Sequence, residues 1–228
     1  MNKKNLENLI TVGITGSKDI HWKSKLAEIE KFKIDKASLF LEQFSTKIQR
    51  KKIYKAILES RIKEIPLIHI RNEMDKDELS FLLEKFKNSY LTIHENSFKY
   101  LEKWKGFHKN LYLEMNYNNS VPRNVDVKKI GGFCVDLAHF KASEERWTKE
   151  FLYESSKNKK YFKCNHLSGF SFKQNRDVHF PKNKEDFNYL KTLPKFIFGN
   201  VIAIEINNSI KEQLEFKKYI IKLLTSKK

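Results

Sequence analysis

The sequence predicts an α/β chain folded as a single (β/α)8 barrel of the TIM class, and three observations carry that prediction. Eight short apolar runs recur along the 228 residues, with helix-like segments between most of them. Each run ends near a polar or ionisable residue, and most of those residues are of metal-ligand type. Residues two before several of these ends are small (Thr92, Cys134, Cys164, Ala203), as the narrow interior of an eight-stranded barrel requires. Chemistry at the C-terminal strand ends is how this fold works.

The first strand is expected over 9–15, leading to Ser17, with a helix over 18–32. A strand over 37–42 ends at Glu42 and leads into a basic helix over 46–63. Pro66 opens the third strand, 67–70, which carries His69. Leu79, Leu82, Leu83 and Phe86 fall at i, i+3, i+4 and i+7, so 75–87 reads as an amphipathic helix. The fourth strand, 90–94, ends at His94 and is followed by a helix over 97–107. The fifth, 111–115, carries Glu114, and the connection over 121–129 leaves little room for a full helix.

Gly131 and Gly132 introduce the sixth strand, 133–137, with Asp136 near its end, and Ser143 is expected to cap a helix running to Glu154. The seventh, 161–165, leads to His166, a long polar loop over 167–184 and a helix over 185–194. The eighth, 201–206, carries Glu205, and an amphipathic helix over 209–224 closes the chain. No Gly/Pro/Ser-rich linker divides the sequence, so 1–228 reads as one domain.

The net charge is +17, from 45 Lys and Arg against 28 Asp and Glu. Such a balance suits a polyanionic partner such as DNA, with the basic run around Arg50, Lys51 and Lys52 and the nearby Arg71 as backbone contacts. The lysines are scattered, however, and a solvated basic surface is the favoured account of the charge. No apolar stretch has the length of a membrane span or the form of a signal peptide, and two cysteines make no disulfide framework. The expectation is a cytoplasmic protein with reduced, buried Cys134 and Cys164; oligomeric state is not legible.

Glu114, Asp136, His166 and Glu205 occupy equivalent places on four consecutive strands, which converges them over the barrel axis. Three carboxylates brought together repel one another strongly, and a divalent cation removes that cost. Asp136-x-x-His139, Asp177-x-His179, His69 and His94 add a further layer of ligand types. No role is assigned to His21 or His108.

The ordered set His69, His94, Glu114, Asp136-x-x-His139, His166, Asp177-x-His179 and Glu205 resembles the metal-ligand order of the endonuclease IV family. These are zinc-dependent abasic-site nucleases of the xylose isomerase-like TIM-barrel superfamily. The resemblance implies two or three zinc ions held by those nine residues, with Glu114 bridging two of them and a phosphodiester of damaged DNA as substrate. The chain departs from the family pattern at Asn72, at Leu167-Ser168-Gly169 and at Phe180-Pro181.

Sugar isomerases and epimerases of the same superfamily share the Glu/Asp/His/Glu core, so a second reading stands beside the first. There one Mn2+, Mg2+ or Zn2+ polarises a sugar or sugar phosphate while Glu114 and Glu205 exchange a proton with carbon, and Glu42, His69 and His94 bind hydroxyls. The Asp-x-His loop inclines the sequence reading to a metal-dependent hydrolase.

Overall fold

The computed structural model describes residues 3–16 and 18–226, so Ser17 at the end of the first run lies outside the described residues. Eight parallel strands close into a barrel. They are β1 (Ile10–Ile14), β2 (Ala37–Phe40), β3 (Leu67–His69), β4 (Tyr90–His94), β5 (Leu111–Glu114), β6 (Gly132–Asp136), β7 (Phe162–Leu167) and, after a two-stranded excursion, β10 (Ile202–Ile204). Sequence neighbours pair all the way round, and closure comes where Ile10 and Thr11 meet Ile202 and Ala203. The excursion is an antiparallel hairpin of β8 (Gly169–Ser171) and β9 (Arg176–Val178).

The α-helices are α1 (Lys3–Leu9) before the first strand, α2 (Asp19–Lys31), α3 (Lys47–Leu58), α4 (Lys76–Lys85), α5 (Leu137–Arg146) and α6 (Lys149–Ser155) in the connections, and α7 (Ile210–Thr225) after the last strand. Thr46, Asp75 and Ser209 cap α3, α4 and α7 by accepting from backbone N–H groups three residues on. The last helix is keyed to the first strand: Gln213 accepts from the Gly13 N–H at 2.7 Å and donates to the Gly13 carbonyl at 3.0 Å. Asn165 ties β7 to its neighbours, donating to the carbonyls of Val135 and Ile197 and accepting from the Gly199 N–H.

Two apolar cores result. One fills the space between strands and helices, and the smaller one plugs the barrel with Phe40, Leu67, Cys134, Cys164, Val201 and Ala203. Thr92, Cys134, Cys164 and Ala203 are fully buried, as strand alternation requires. Both cysteines are free thiols. The barrel floor is therefore packed, with Thr11 and Ser38 hydrogen-bonded to each other at 2.7 Å between β1 and β2, and the ionisable strand-end residues gather at the C-terminal mouth.

Several elements differ from the sequence expectation. The helix expected to start at Ser143 begins directly after β6, with Asp136 as its cap and Ser143 inside it. Segments 95–104 and 184–191 are 3₁₀ turns rather than α-helix. In the first, Phe98, Leu101 and Trp104 recur every third residue, which aligns them on one buried face at three residues per turn. The polar loop after β7 contains the β8–β9 hairpin, and α1 was not foreseen. No helix among the described residues is long and apolar enough to cross a membrane.

Candidate metal centre

Four strand ends deliver one buried cluster. Glu114, Asp136, His166 and Glu205 each offer a ligand atom, and these atoms all lie within 4.8 Å of one another. The barrel register does this: Asp136 pairs with His166, His166 with Ala203, and the Glu205 N–H donates to the Leu167 carbonyl. His166 Nδ1 stands 3.0 Å from Glu114 Oε2 and 3.2 Å from Glu205 Oε2. Its other nitrogen, Nε2, is 3.2 Å from the Thr92 hydroxyl, and Phe40 packs edge-on against the ring at 5.1 Å. Thr92 and Phe40 thus fix the ring so that Nδ1 faces the carboxylates.

A second group adjoins it. Glu42, His69 and His94 also bring three ligand atoms within 4.8 Å. Glu42 Oε1 lies 3.0 Å from His94 Nε2 and 3.6 Å from His69 Nε2, and His69 Nε2 lies 3.1 Å from Glu114 Oε2. Glu114 is the shared wall of the two groups.

These atoms approach without forming hydrogen bonds in several places. Both nitrogens of His69, His94 Nδ1, Glu114 Oε2, Asp136 Oδ2 and His166 Nδ1 are buried with no hydrogen-bond partner, although some stand within ion-pair distance. Lone pairs that converge on common space, rather than aligning donor to acceptor, are the arrangement of a cation site. Asp136 shows it most clearly. Its Oδ1 accepts from the Ala138 and His139 N–H groups, both at 2.8 Å, and caps α5, while Oδ2 is left free towards the cluster.

The electrostatics agree. Burial alone would raise the Glu114 carboxyl, but His166 and His94 hold it well below the usual carboxylate range. Burial opposes charge on His166, yet Glu114 and Glu205 raise it well above an ordinary histidine. Burial likewise opposes charge on His94, which Glu114 and Glu42 raise to about 9. His69 holds Glu42 low against its burial, and burial raises Glu205 against the pull of His166. Without a cation, protons on the imidazoles supply the positive charge that the carboxylates demand. A divalent ion held by Glu114, Asp136, His166 and Glu205 would supply it too, and the oxygen-rich set with one imidazole suits such an ion.

The remaining sequence-predicted ligands fall in neither group. His139 Nδ1 is 3.2 Å from the Met115 carbonyl and 3.6 Å from Glu114 Oε1. Asp177 and His179 pair with each other at 2.7 Å, Tyr117 donates to Asp177, and His179 Nδ1 is 3.1 Å from the Glu205 carbonyl. Asp177 is held low despite its burial by His179 and Tyr117, and His179 is raised to about 10 against its burial by Asp177 and Glu205. Among the described residues, His139, Asp177 and His179 do not assemble a third group of comparable tightness.

Two cavities flank Glu42 at the mouth. One of about 140 Å3 is walled by Phe40, Glu42, His179, Glu205 and Asn207, among others. The other, about 180 Å3, has His69, His94, Arg71 and Asn72 in its wall. Arg71 is paired with Glu73 at 2.9 Å. Arg50, expected on a basic surface, instead turns inward: it is 3% exposed and grips Glu78 through two bonds of 2.7 and 2.9 Å. Lys51, Lys52 and Lys55 remain exposed.

The barrel is similar to that of a D-tagatose 3-epimerase-like protein. The two structures superpose with a TM-score of 0.52 at 13% sequence identity, over 95% of this chain and 99% of that one. No family model matches the chain, and no curated protein matches it significantly in sequence. At that identity the likeness establishes the (β/α)8 fold, and nothing in it singles out the endonuclease IV pattern.

In the sequence Glu42 reads as a substrate-binding residue, yet it adjoins His69 and His94, two candidate ligands. The signal was present: Glu42 closes its apolar run as His69 and His94 close theirs. Sequence reasoning passed over Thr92 as an orienting group because a threonine two residues before a histidine reads only as a small interior residue.

Proposed function

We propose that the protein is a divalent-metal-dependent isomerase or epimerase of sugars or sugar derivatives. The observation that carries this reading is the pair of buried carboxylates, Glu114 and Glu205, on either side of His166 Nδ1 at 3.0 and 3.2 Å. They come from strands three places apart in the barrel order, so they approach the axis from different sides. The overall likeness to an epimerase-like barrel supports the same reading.

Glu114, Asp136, His166 and Glu205 would hold the ion, as Mn2+, Mg2+ or Zn2+. When bound, it polarises the carbonyl and neighbouring hydroxyl oxygens of a keto sugar and acidifies the carbon between them. One of the two glutamates takes the proton from that carbon, and the electron pair left behind is drawn into the carbonyl. The second glutamate returns a proton to the opposite face for epimerisation, or to the adjacent carbon for isomerisation. Glu42, His94 and His179 stand beside the cavity to fix hydroxyl groups, and Thr92 keeps His166 from rotating away.

The test is proton NMR of metal-loaded protein with keto sugars in D2O. Exchange of the proton next to the carbonyl, with appearance of the epimer or isomer, is the expected result. Glu114→Gln and Glu205→Gln should each lower that rate by about 100- to 10,000-fold. Protein with bound metal that exchanges no such proton overturns the reading.

A second reading rests on one distance, the 3.1 Å between His69 and Glu114 that joins the two groups. Two cations sharing Glu114 would suit phosphodiester hydrolysis, with zinc on the histidine-rich group. Cleavage of abasic-site DNA with two ions per chain would establish it in place of the first.

A further inference from the structure

A larger cavity, about 390 Å3 and within the size range of small-molecule sites, opens beside the one over the metal centre. The two share Thr15, Gly16, Gln43 and Asn207 as walls, so a ligand seated at Glu205 can extend into it. Beyond those four, its walls include His21, Ser24, Lys25, Phe180 and Ser209. The chemistry changes across the shared wall. Glu42 and Glu205 line the first cavity, whereas hydroxyl, amide and basic side chains dominate the second and no carboxylate lines it among the described residues.

Lys25 is the unusual member. It projects from α2, is 4% exposed, and donates from Nζ to Thr15 Oγ1 at 2.6 Å and to the Ile206 carbonyl at 3.0 Å. An ammonium has three donors, and both of these acceptors are neutral. Glu28 and Glu212 bias it from a distance, but both carboxylates have other work: Glu28 accepts from the Lys211 N–H and Glu212 closes the cap of α7. Among the described residues no carboxylate makes ion-pair contact with Lys25, and a buried cation without a contact partner is costly. Gly16 preserves the arrangement. Its φ is +103°, and a Cβ there would stand 2.7 Å from the Cβ of His21.

We propose that this cavity is an anion subsite, receiving the phosphate of a phosphorylated sugar whose reacting carbons lie between Glu114 and Glu205, with Lys25 as its buried counter-charge and His21 and Ser24 at its rim. The identity of the sugar end rests on the isomerase or epimerase reading above; the anion subsite does not.

Calorimetric titration of inorganic phosphate into chelator-stripped protein tests the subsite apart from the metal and from turnover. Saturable binding is expected, weakened about tenfold or more by Lys25→Met and by Ser24→Asp, as loss or reversal of a charged hydrogen bond implies. Ser24 is exposed, so Ser24→Asp keeps the test valid if Lys25→Met fails to fold. Binding only in metal-loaded protein, or equal binding by both variants, overturns the proposal. With metal restored, the KM of a ketose phosphate should lie below that of the free ketose by about tenfold or more, and that gap should close in both variants. A sugar acid preferred over the sugar phosphate overturns the phosphate assignment. Phosphate bound by stripped protein that turns over no sugar leaves the subsite standing and removes the isomerase reading.

Discussion

His69 Nε2 lies 3.1 Å from Glu114 Oε2, and through that contact the Glu42–His69–His94 group and the four-residue cluster become one continuous set of candidate ligands. The two groups differ in donor type: three carboxylates and one imidazole against one carboxylate and two imidazoles. Metals with different preferences should therefore load them differently.

Metal content per chain, measured by elemental mass spectrometry after titration with Mn2+ or Zn2+, separates the groups. One tightly held ion is expected in the buried cluster. It should be retained in His69→Ala and His179→Ala, because neither side chain belongs to that cluster, and weakened by more than about 100-fold in Glu205→Gln. A second zinc that vanishes in His69→Ala would mark the adjoining group as a metal site in its own right.

Asp136 has two separable duties, since Oδ1 caps α5 and Oδ2 faces the cluster. Asp136→Asn keeps a capping oxygen and removes one charge from a crowded set of carboxylates. In chelator its stability should equal or exceed that of the wild type, whereas Asp136→Ala should lose about 1 kcal/mol with the cap. Both should bind metal far more weakly. Urea unfolding in chelator, beside metal titration, checks the separation; equal destabilisation by both variants would assign Asp136 to a different role.

The parts of this fold that follow from local periodicity were readable, and those set by tertiary contact were not. Strand ends declared themselves because apolar alternation stops where a residue of metal-ligand type starts, as at His69, His94 and Glu114. Asp136 was read as a strand end and not as a cap, because the chain passes from β6 into α5 without a loop. Arg50 sits in an Arg-Lys-Lys run that reads as a basic surface, yet it shares a helical face with Ile53, Tyr54 and Ile57 at i+3, i+4 and i+7, all buried. That spacing was in the sequence; the carboxylate that makes the burial tolerable, Glu78, comes from another helix. The β8–β9 hairpin left a trace in Phe170, Phe172 and the turn at Asn175, whose φ is +48°. What no local pattern conveys is that Asp177 and His179 pair with each other.

The Arg50–Glu78 pair joins α3 to α4, with Tyr54 donating a third bond to Glu78 at 2.8 Å. Removing one partner leaves the other charge buried and alone. Glu78→Ala should therefore destabilise the protein by about 3–5 kcal/mol. The double variant Arg50→Met/Glu78→Leu should recover most of that loss, since no ion is then stranded. Unfolding midpoints of the three proteins decide it; additive losses would mean that the pair itself, and not the stranded charge, carries the stability.

Lys25 makes stability depend on alkaline pH in a definite direction. Burial lowers its pKa from 10.5 to about 8, with Glu28 and Glu212 opposing the shift. Between those two values the unfolded chain holds a proton that the folded chain has released, so the unfolded state binds more protons and stability rises with pH. Below about 8 the ammonium is charged in both states and the full burial cost stands, up to about 3 kcal/mol. Lys25→Met removes that cost while leaving the Thr15 hydroxyl to donate to the Ile206 carbonyl at 3.0 Å. The variant should thus be the more stable protein at neutral pH, and its advantage should shrink from pH 8 to 10.5 as the wild type releases its proton. Taking the difference between the two proteins cancels every other group that titrates in that range. A variant less stable than the wild type at neutral pH would show that the lysine holds the fold together, and the reason for its burial would no longer need a bound anion.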